Sequence, residues 1–206
     1  SAPPRLNGTN AGRGGEFGRQ MLERADLSPA RRAEVVSLAG GVEKDRAARF
    51  GGPGRLRRLR LARDHYLDAY RLTGQYFPAI NAATLSLLTG ETSASRDLAA
   101  EVVPMVTGEI ESLERGLSEA ADGEKAAKTR ENLVWAYATL GEAHLLAGNA
   151  HDARHRYGRA VALAQANRLP GPTAPLRRPL DLIRHAFPAA EAIPRMFPAS
   201  TLVAAP

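Results

Sequence analysis

The 206-residue chain contains no cysteine. Disulfides, thiolate zinc sites, iron–sulfur clusters and cysteine nucleophiles are therefore excluded. Valine and isoleucine together number only 13, against 38 alanines. Sheets draw on β-branched side chains, whereas helices tolerate alanine everywhere, so this composition argues against a large sheet. Aromatic residues make up 5% of the chain, with Trp135 the single tryptophan. Long apolar runs are missing too. The longest uncharged run, Leu72 to Gly90, carries Gln75, Pro78, Asn81 and several hydroxyls. It is too polar for a membrane span. No basic stretch followed by an apolar one opens the chain, so no secretory signal is expected and a cytoplasmic setting is. The first residues, Ser1-Ala2-Pro3-Pro4, lack an initiator methionine and read as the start of a piece of a longer product.

What is present is arginine. Of the 28 basic residues 25 are Arg, and the net charge is +6. The distribution is segmented. Residues 1–72 carry +7, residues 73–148 carry −6, and residues 149–206 carry +5. A uniformly basic nucleic-acid binder would lack the acidic middle. The segmentation suits two different partner surfaces, or a chain that docks to itself.

Proline and glycine punctuate the chain. Residues 1–27 hold Pro3, Pro4 and five glycines, which reads as a flexible lead-in with a short helical turn around Arg19 to Ala25. Ser28-Pro29 is a helix start, with Ser as cap and Pro at the first position. That helix should reach about Phe50, weakened in its middle by Gly40-Gly41 and stopped by Gly51-Gly52-Pro53-Gly54. A second helix is expected from Arg55 to Thr73, and a third from about Phe77 or Pro78 to Gly90. A fourth should begin near Ser93 or Ser95 and run to about Leu117, kinked or split by Pro104 and Gly108. A charged connection at 121–129 precedes a fifth helix, Arg130 to Ala147. Asn149 then caps a sixth that lasts to about Asn167. Eight of the 14 prolines lie in residues 170–206. One short helix, Leu176 to Ala186, fits in this tail, and the rest should be extended.

The expected organisation is therefore a lead-in at 1–27, a helical domain at 28–168 and a Pro-rich tail at 169–206. Within the domain a repeat is visible. Tyr137, Leu140-Gly141, Gly148, Ala153, Tyr157 and Ala160 reproduce the tetratricopeptide pattern, with His144 in place of its usual Tyr and Gln165 in place of its closing Pro. Small residues at 141 and 153 allow two antiparallel helices to touch, and Tyr157 fills the gap toward the next repeat. Ala62, Tyr66 and Ala69 repeat the second half of the pattern. Ala83 and Gly90, followed by Ser95, Ala99 and Val102, repeat it more faintly. Three helix pairs result: 28–50 with 55–73, 77–90 with 93–117, and 130–147 with 149–167. The fold class expected is all-α, a tetratricopeptide-like array wound as a right-handed superhelix.

Three stretches carry a family resemblance. They are Leu38-Ala-Gly-Gly-Val-Glu-Lys-Asp45, Ala62-Arg-Asp-His-Tyr-Leu-Asp-Ala-Tyr70, and Thr73-Gly-Gln-Tyr-Phe-Pro-Ala-Ile-Asn-Ala-Ala-Thr-Leu85. Together they resemble the tetratricopeptide-like regulatory region, the TRAF-binding type, that precedes the kinase domain in apoptosis signal-regulating kinases. Similar regions occur in bacterial multidomain proteins. The resemblance spans about residues 28–167. It implies an interaction module within a larger signalling protein. It does not imply kinase activity, because the chain has no Gly-rich phosphate loop and no catalytic-loop signature.

Catalytic constellations are weak. His151-Asp152-Ala153-Arg154-His155 imitates H-E-x-x-H, but Asp replaces the general-base Glu and a third ligand is not evident, so it reads as a solvated helix face. No G-x-S-x-G elbow occurs. Glu109, Glu111 and Glu114 read as solubilising rather than catalytic. No enzyme activity, no metal and no cofactor are expected.

Binding surfaces are more plausible. In tetratricopeptide arrays the first helix of each pair lines the concave face. Counting from the repeat start places Phe77, Ile80, Asn81 and Thr84 there in the middle pair. Trp135, Ala138, Thr139 and Glu142 take those positions in the last. Such a groove suits a helix or an extended peptide. Trp135 is either a groove anchor or a residue buried against the next repeat, and Asn81 either contacts a ligand or bonds the neighbouring helix. Trp135 and Thr139 stand where chaperone-binding versions of the fold place carboxylate-clamping cations, so that activity is expected to be absent. Arg55, Arg57, Arg58, Arg60 and Arg63 form the densest basic run, beside Leu56, Leu59 and Leu67. They offer a basic surface, but no aromatic residues interleave with them for base stacking. The leading expectation is a non-enzymatic module that binds a protein or peptide, including a neighbouring domain of its own parent chain. Nucleic-acid or polyanion binding through the Arg run and the basic C-terminal segment is the alternative.

Overall fold

The computed structural model describes residues 27–119 and 123–167. Among them are six α-helices and no strand: α1 (Pro29–Ala47), α2 (Gly52–Thr73), α3 (Tyr76–Leu88), α4 (Thr92–Glu119), α5 (Glu124–Leu146) and α6 (Ala150–Ala166). The described residues form an all-helical repeat array. It divides after Thr89 into two compact units, which are taken one at a time. The expected lead-in, with its turn at Arg19 to Ala25, and the tail with its helix at Leu176 to Ala186 lie outside the described residues.

Helix boundaries follow local chemistry. Ser28 Oγ accepts a hydrogen bond from the Arg31 amide at 3.4 Å, and Pro29 opens α1. Helix α2 ends at Gly74, whose φ of +64° is a left-handed conformation that favours glycine. The run Gly51-Gly52-Pro53-Gly54 does more than stop α1. Pro53 lies in the first turn of α2, where its missing N–H is harmless, so α2 starts at Gly52 rather than at Arg55.

Two details differ from expectation. Of the two outcomes expected at Pro104 and Gly108, a kink or a split, helix α4 shows no split, and it runs 28 residues through both. Pro104 is exposed, so the carbonyl it leaves without a partner faces water. On the other side Ser95, Ala99, Val102, Val106 and Ile110 form one buried stripe that carries the helix across the proline. The expected charged connection at 121–129 is also shorter, because α5 begins at Glu124 and its Ala126 is 1% exposed.

In the first unit α1 and α2 meet at a glycine. A Cβ on Gly40 would lie 2.9 Å from Tyr66 Cε2 and 3.2 Å from the Ala62 carbonyl oxygen. Only a bare backbone admits the Tyr66 ring at that distance. Ala62 and Ala69 flank the ring and are fully buried. In the second unit α5 and α6 build the same joint. A Cβ on Gly141 would lie 2.8 Å from Tyr157 Cδ2, and Ala153 and Ala160 are fully buried beside it. Gly40-Gly41, which reads in sequence as a weak spot, is the crossing point of the first pair. The small-to-large contact is what holds each pair at close range.

The two pairs differ in length. Gly40 precedes Ala62 by 22 residues, whereas Gly141 precedes Ala153 by 12. Most of the excess is added helix at the start of α2, about two turns. This extension holds Arg55, Arg57 and Arg58. Arg58 reaches back to α1, donating to Glu43 Oε2 at 2.8 Å, while Arg46 donates to Glu43 Oε1 at 2.7 Å. Three residues beyond Gly40 and Gly141 stands a polar residue, Glu43 or His144. Glu43 is 9% exposed and is held by its two arginines.

Candidate functional site

Close packing of α1 on α2 leaves an open cleft in the first unit, between α1 and the start of α3. It encloses about 620 Å³. Helix α1 supplies one wall with Ala30, Ala33, Glu34, Ser37, Leu38, Gly41, Val42 and Asp45. These positions recur at helical spacing, so they form one face. Gln75, Phe77 and Pro78 supply the other wall, and Tyr66 of α2 lines the floor.

The floor is rigid and its charges are placed. Tyr66 is 4% exposed. Burial, helped by the Asp45 carboxylate, pushes its phenol up to about 12, so the ring is neutral at any physiological pH. The Lys44 ammonium stands 5.6 Å from the Tyr66 ring centroid. It also donates to Asn81 Oδ1 at 3.0 Å, tying α1 to α3 across the end of the floor. Asn81 Nδ2 in turn donates to the Phe77 carbonyl at 2.9 Å.

The walls, by contrast, are unfilled. Leu38 is 65% exposed and Phe77 58%. Two large apolar side chains in water at the mouth of one cleft favour an occupant that covers them. Glu34 and Asp45 mark its acidic ends.

The expected site residues separate. Phe77 lines the cleft, and Asn81 is half-buried and bonds α1 through Lys44. Ile80 and Thr84 are 4% and 6% exposed, so they face the core and not an occupant. Trp135, Thr139 and Glu142 lie on α5, in the second unit. Trp135 is 38% exposed, and Thr139 and Glu142 are half-buried. The basic run also divides. Arg55, Arg57 and Arg60 are exposed. Arg58 is committed to Glu43 and stands over the Phe50 ring at 5.8 Å. Arg63 is half-buried and pairs with Asp64 at 2.7 Å.

Other candidate chemistry is dispersed. Among the described residues no group of three or more His, Asp or Glu side chains is placed to hold a metal ion. The His151 side chain is 97% exposed, beside Asp152 at 3.5 Å. Glu114 accepts from the Tyr137 hydroxyl at 2.7 Å, so it fastens α4 to α5. No described helix is long and apolar enough to cross a membrane.

Leu38, Gly41, Val42, Asp45 and Tyr66 escape a groove count made from the repeat. The longer α2 shifts Gly40 ten residues out of register with Ala62, so a fixed period does not reach α1. The signal that finds them is a glycine pair inside an otherwise regular helix, preceding an Ala-x3-Tyr.

A family model for the Tetratricopeptide Repeats-Sensor matches residues 9–86. The match takes in α1, α2 and most of α3, and so the whole lining of the cleft. No curated protein and no solved structure matches the chain.

Proposed function

We propose that the chain is a non-enzymatic interaction module that binds a peptide segment of another protein, or of a neighbouring domain, in the α1–α3 cleft. The observation that carries this is the pair Leu38 and Phe77, exposed over a floor that is already built. The family match over 9–86 and the resemblance to the regulatory region of apoptosis signal-regulating kinases support a place within a larger signalling protein. Trp135, Thr139 and Glu142 are proposed as further contacts on the second unit.

The polyanion alternative is weaker, because Arg58 and Arg63 are engaged in ion pairs. Only three of the five arginines in that run are exposed.

Display selection of random peptides on the full chain tests the proposal. Covering one large apolar side chain contributes about 1.5–3 kcal/mol. Leu38→Glu or Phe77→Glu should therefore weaken selected peptides by about tenfold or more, with the circular dichroism spectrum unchanged. Peptides that bind both variants as well as the parent would refute the cleft as the site. Loss of binding on Arg55→Glu/Arg57→Glu/Arg60→Glu instead would favour the basic surface.

A further inference from the structure

Glu34, Leu38 and Gly41 stand four and three residues apart on α1, so they share the face turned to the cleft. Each offers something different. Glu34 is an exposed carboxylate, and Leu38 an exposed apolar side chain. Gly41 is bare backbone. A Cβ built on it would meet one atom within 4 Å, the Tyr66 hydroxyl at 3.6 Å. The cleft therefore has a notch over Gly41, with Tyr66 Oη at its base.

That hydroxyl lacks what a buried polar group ordinarily has. Tyr66 is 4% exposed, yet no described residue hydrogen-bonds its hydroxyl. Burial and the Asp45 carboxylate push the phenol up to about 12, so it stays protonated and is a donor. It calls for an acceptor from the cleft side. A helical peptide has no carbonyl to give along its length, because its own amides take them. An extended backbone of the polyproline type leaves every carbonyl open. It also sets residues three apart on one face, about 9 Å along the axis. Glu34 and Gly41 are seven residues apart, about 10 Å along α1. Laid along α1, such a segment can place one side chain over Gly41 and another, three residues away, beside Glu34.

Charge selects the second side chain. Among the described residues two carboxylates, Glu34 and Asp45, line the cleft and no cation does. Asp45 already has a partner. Lys44 stands over the Tyr66 ring and donates to Asn81. Glu34 is the carboxylate placed to meet a Lys or Arg of the occupant.

We propose that the cleft takes an extended, polyproline-type peptide: a large apolar side chain sits over Gly41 beside Leu38 and Phe77, a backbone carbonyl accepts from Tyr66 Oη, and a Lys or Arg three residues away pairs with Glu34. This rests on the reading of the cleft as a peptide site and specifies the peptide.

Labelled synthetic peptides with the core Arg-Pro-Pro-Leu or its reverse, flanked by prolines, test this on the full chain. One of the two should bind. Its counterpart with Glu in place of Arg should bind about fivefold more weakly or worse, and on Glu34→Lys the order should reverse. Tyr66→Phe keeps the ring and removes only the hydroxyl. The urea midpoint should hold, while the arginine peptide weakens about threefold or more. Gly41→Leu should fill the notch and abolish binding, with the circular dichroism spectrum unchanged. No binding by either arginine peptide, equal affinity for the Arg and Glu versions, or indifference to Tyr66→Phe would each overturn the inference. Display-selected peptides that need Leu38 and Phe77 but bind as helices without a cation would also overturn it, and would leave the peptide site standing. If no peptide of any kind depends on Leu38 or Phe77, the peptide reading falls and this inference falls with it.

Discussion

Gly141→Ala isolates the contact that defines the repeat. The added Cβ would sit 2.8 Å from Tyr157 Cδ2 and 3.0 Å from its Cε2 and Cγ. Ordinary contact begins near 3.4 Å, so the ring or the helices must give by about half an ångström or more. Tyr157 is 1% exposed and has no open space to swing into. Overpacking of this kind costs about 1–3 kcal/mol, and here the upper end applies because a rigid ring meets a helix backbone. Alanine recovers about 1 kcal/mol through its helix propensity. The net loss is about 2 kcal/mol, or about 10 °C in Tm for a unit of this size. Gly108→Ala is the matched control. It lies inside α4 with nothing within 4 Å of its added Cβ, so it should gain about 1 kcal/mol. Urea unfolding followed by Trp135 fluorescence, which reports on α5 directly, separates the two. Gly141→Ala/Tyr157→Leu should recover part of the loss of Gly141→Ala alone, because the ring that clashes is gone. Equal stabilisation by Gly141→Ala and Gly108→Ala would refute the close-contact account of the repeat.

Other consequences follow from charge and hydrogen bonding. Asn81→Leu removes the acceptor of the Lys44 ammonium and should lower stability by about 1–2 kcal/mol, seen as a lower urea midpoint. Burial would raise the Glu43 pKa, but hydrogen bonds from Arg58 and Arg46 outweigh it and hold the carboxyl below its usual 4.5. Its contribution is thus complete above pH 4.5 and fades as pH falls through the lowered value, and Glu43→Gln should flatten that acid limb of the stability profile. Burial lowers the His144 pKa below 6.5, with Asp152 opposing and Arg156 adding to the effect. The unfolded chain therefore binds the extra proton, and stability should fall as pH drops below 6.5. His144→Gln should remove that dependence, as thermal melts between pH 7 and pH 5 would show.

Much of the fold was written locally. Alanine excess and the Ser28-Pro29, Gly74 and Gly148 punctuation point to the six helices of the described residues, because capping and left-handed turns depend only on neighbouring residues. The strong repeat, Gly141 with Ala153 and Tyr157, was legible because its two helices are joined by a short turn at the standard spacing. Its twin, Gly40 with Tyr66, was not. The ten added residues between Gly40 and Ala62 leave the contact in space and remove it from any fixed period. For the same reason the candidate site was only half visible. Phe77 could be counted onto a groove, but Leu38, Gly41 and Asp45 join it only once α1 and α3 are brought to either side of Tyr66. Pro104 shows the converse. Its local propensity to break a helix was overridden by the buried stripe from Ser95 to Ile110, a term that exists only once the helix has something to pack against. Sequence alone determined that helices occupy these stretches and where Ser28 and Gly74 bound them, but not that α2 starts at Gly52 and α5 at Glu124. Tertiary structure decided which glycine was a crossing point, which arginines were committed to Glu43, and which apolar side chains were left in water, because each depends on what residues distant in the chain bring within a few ångströms.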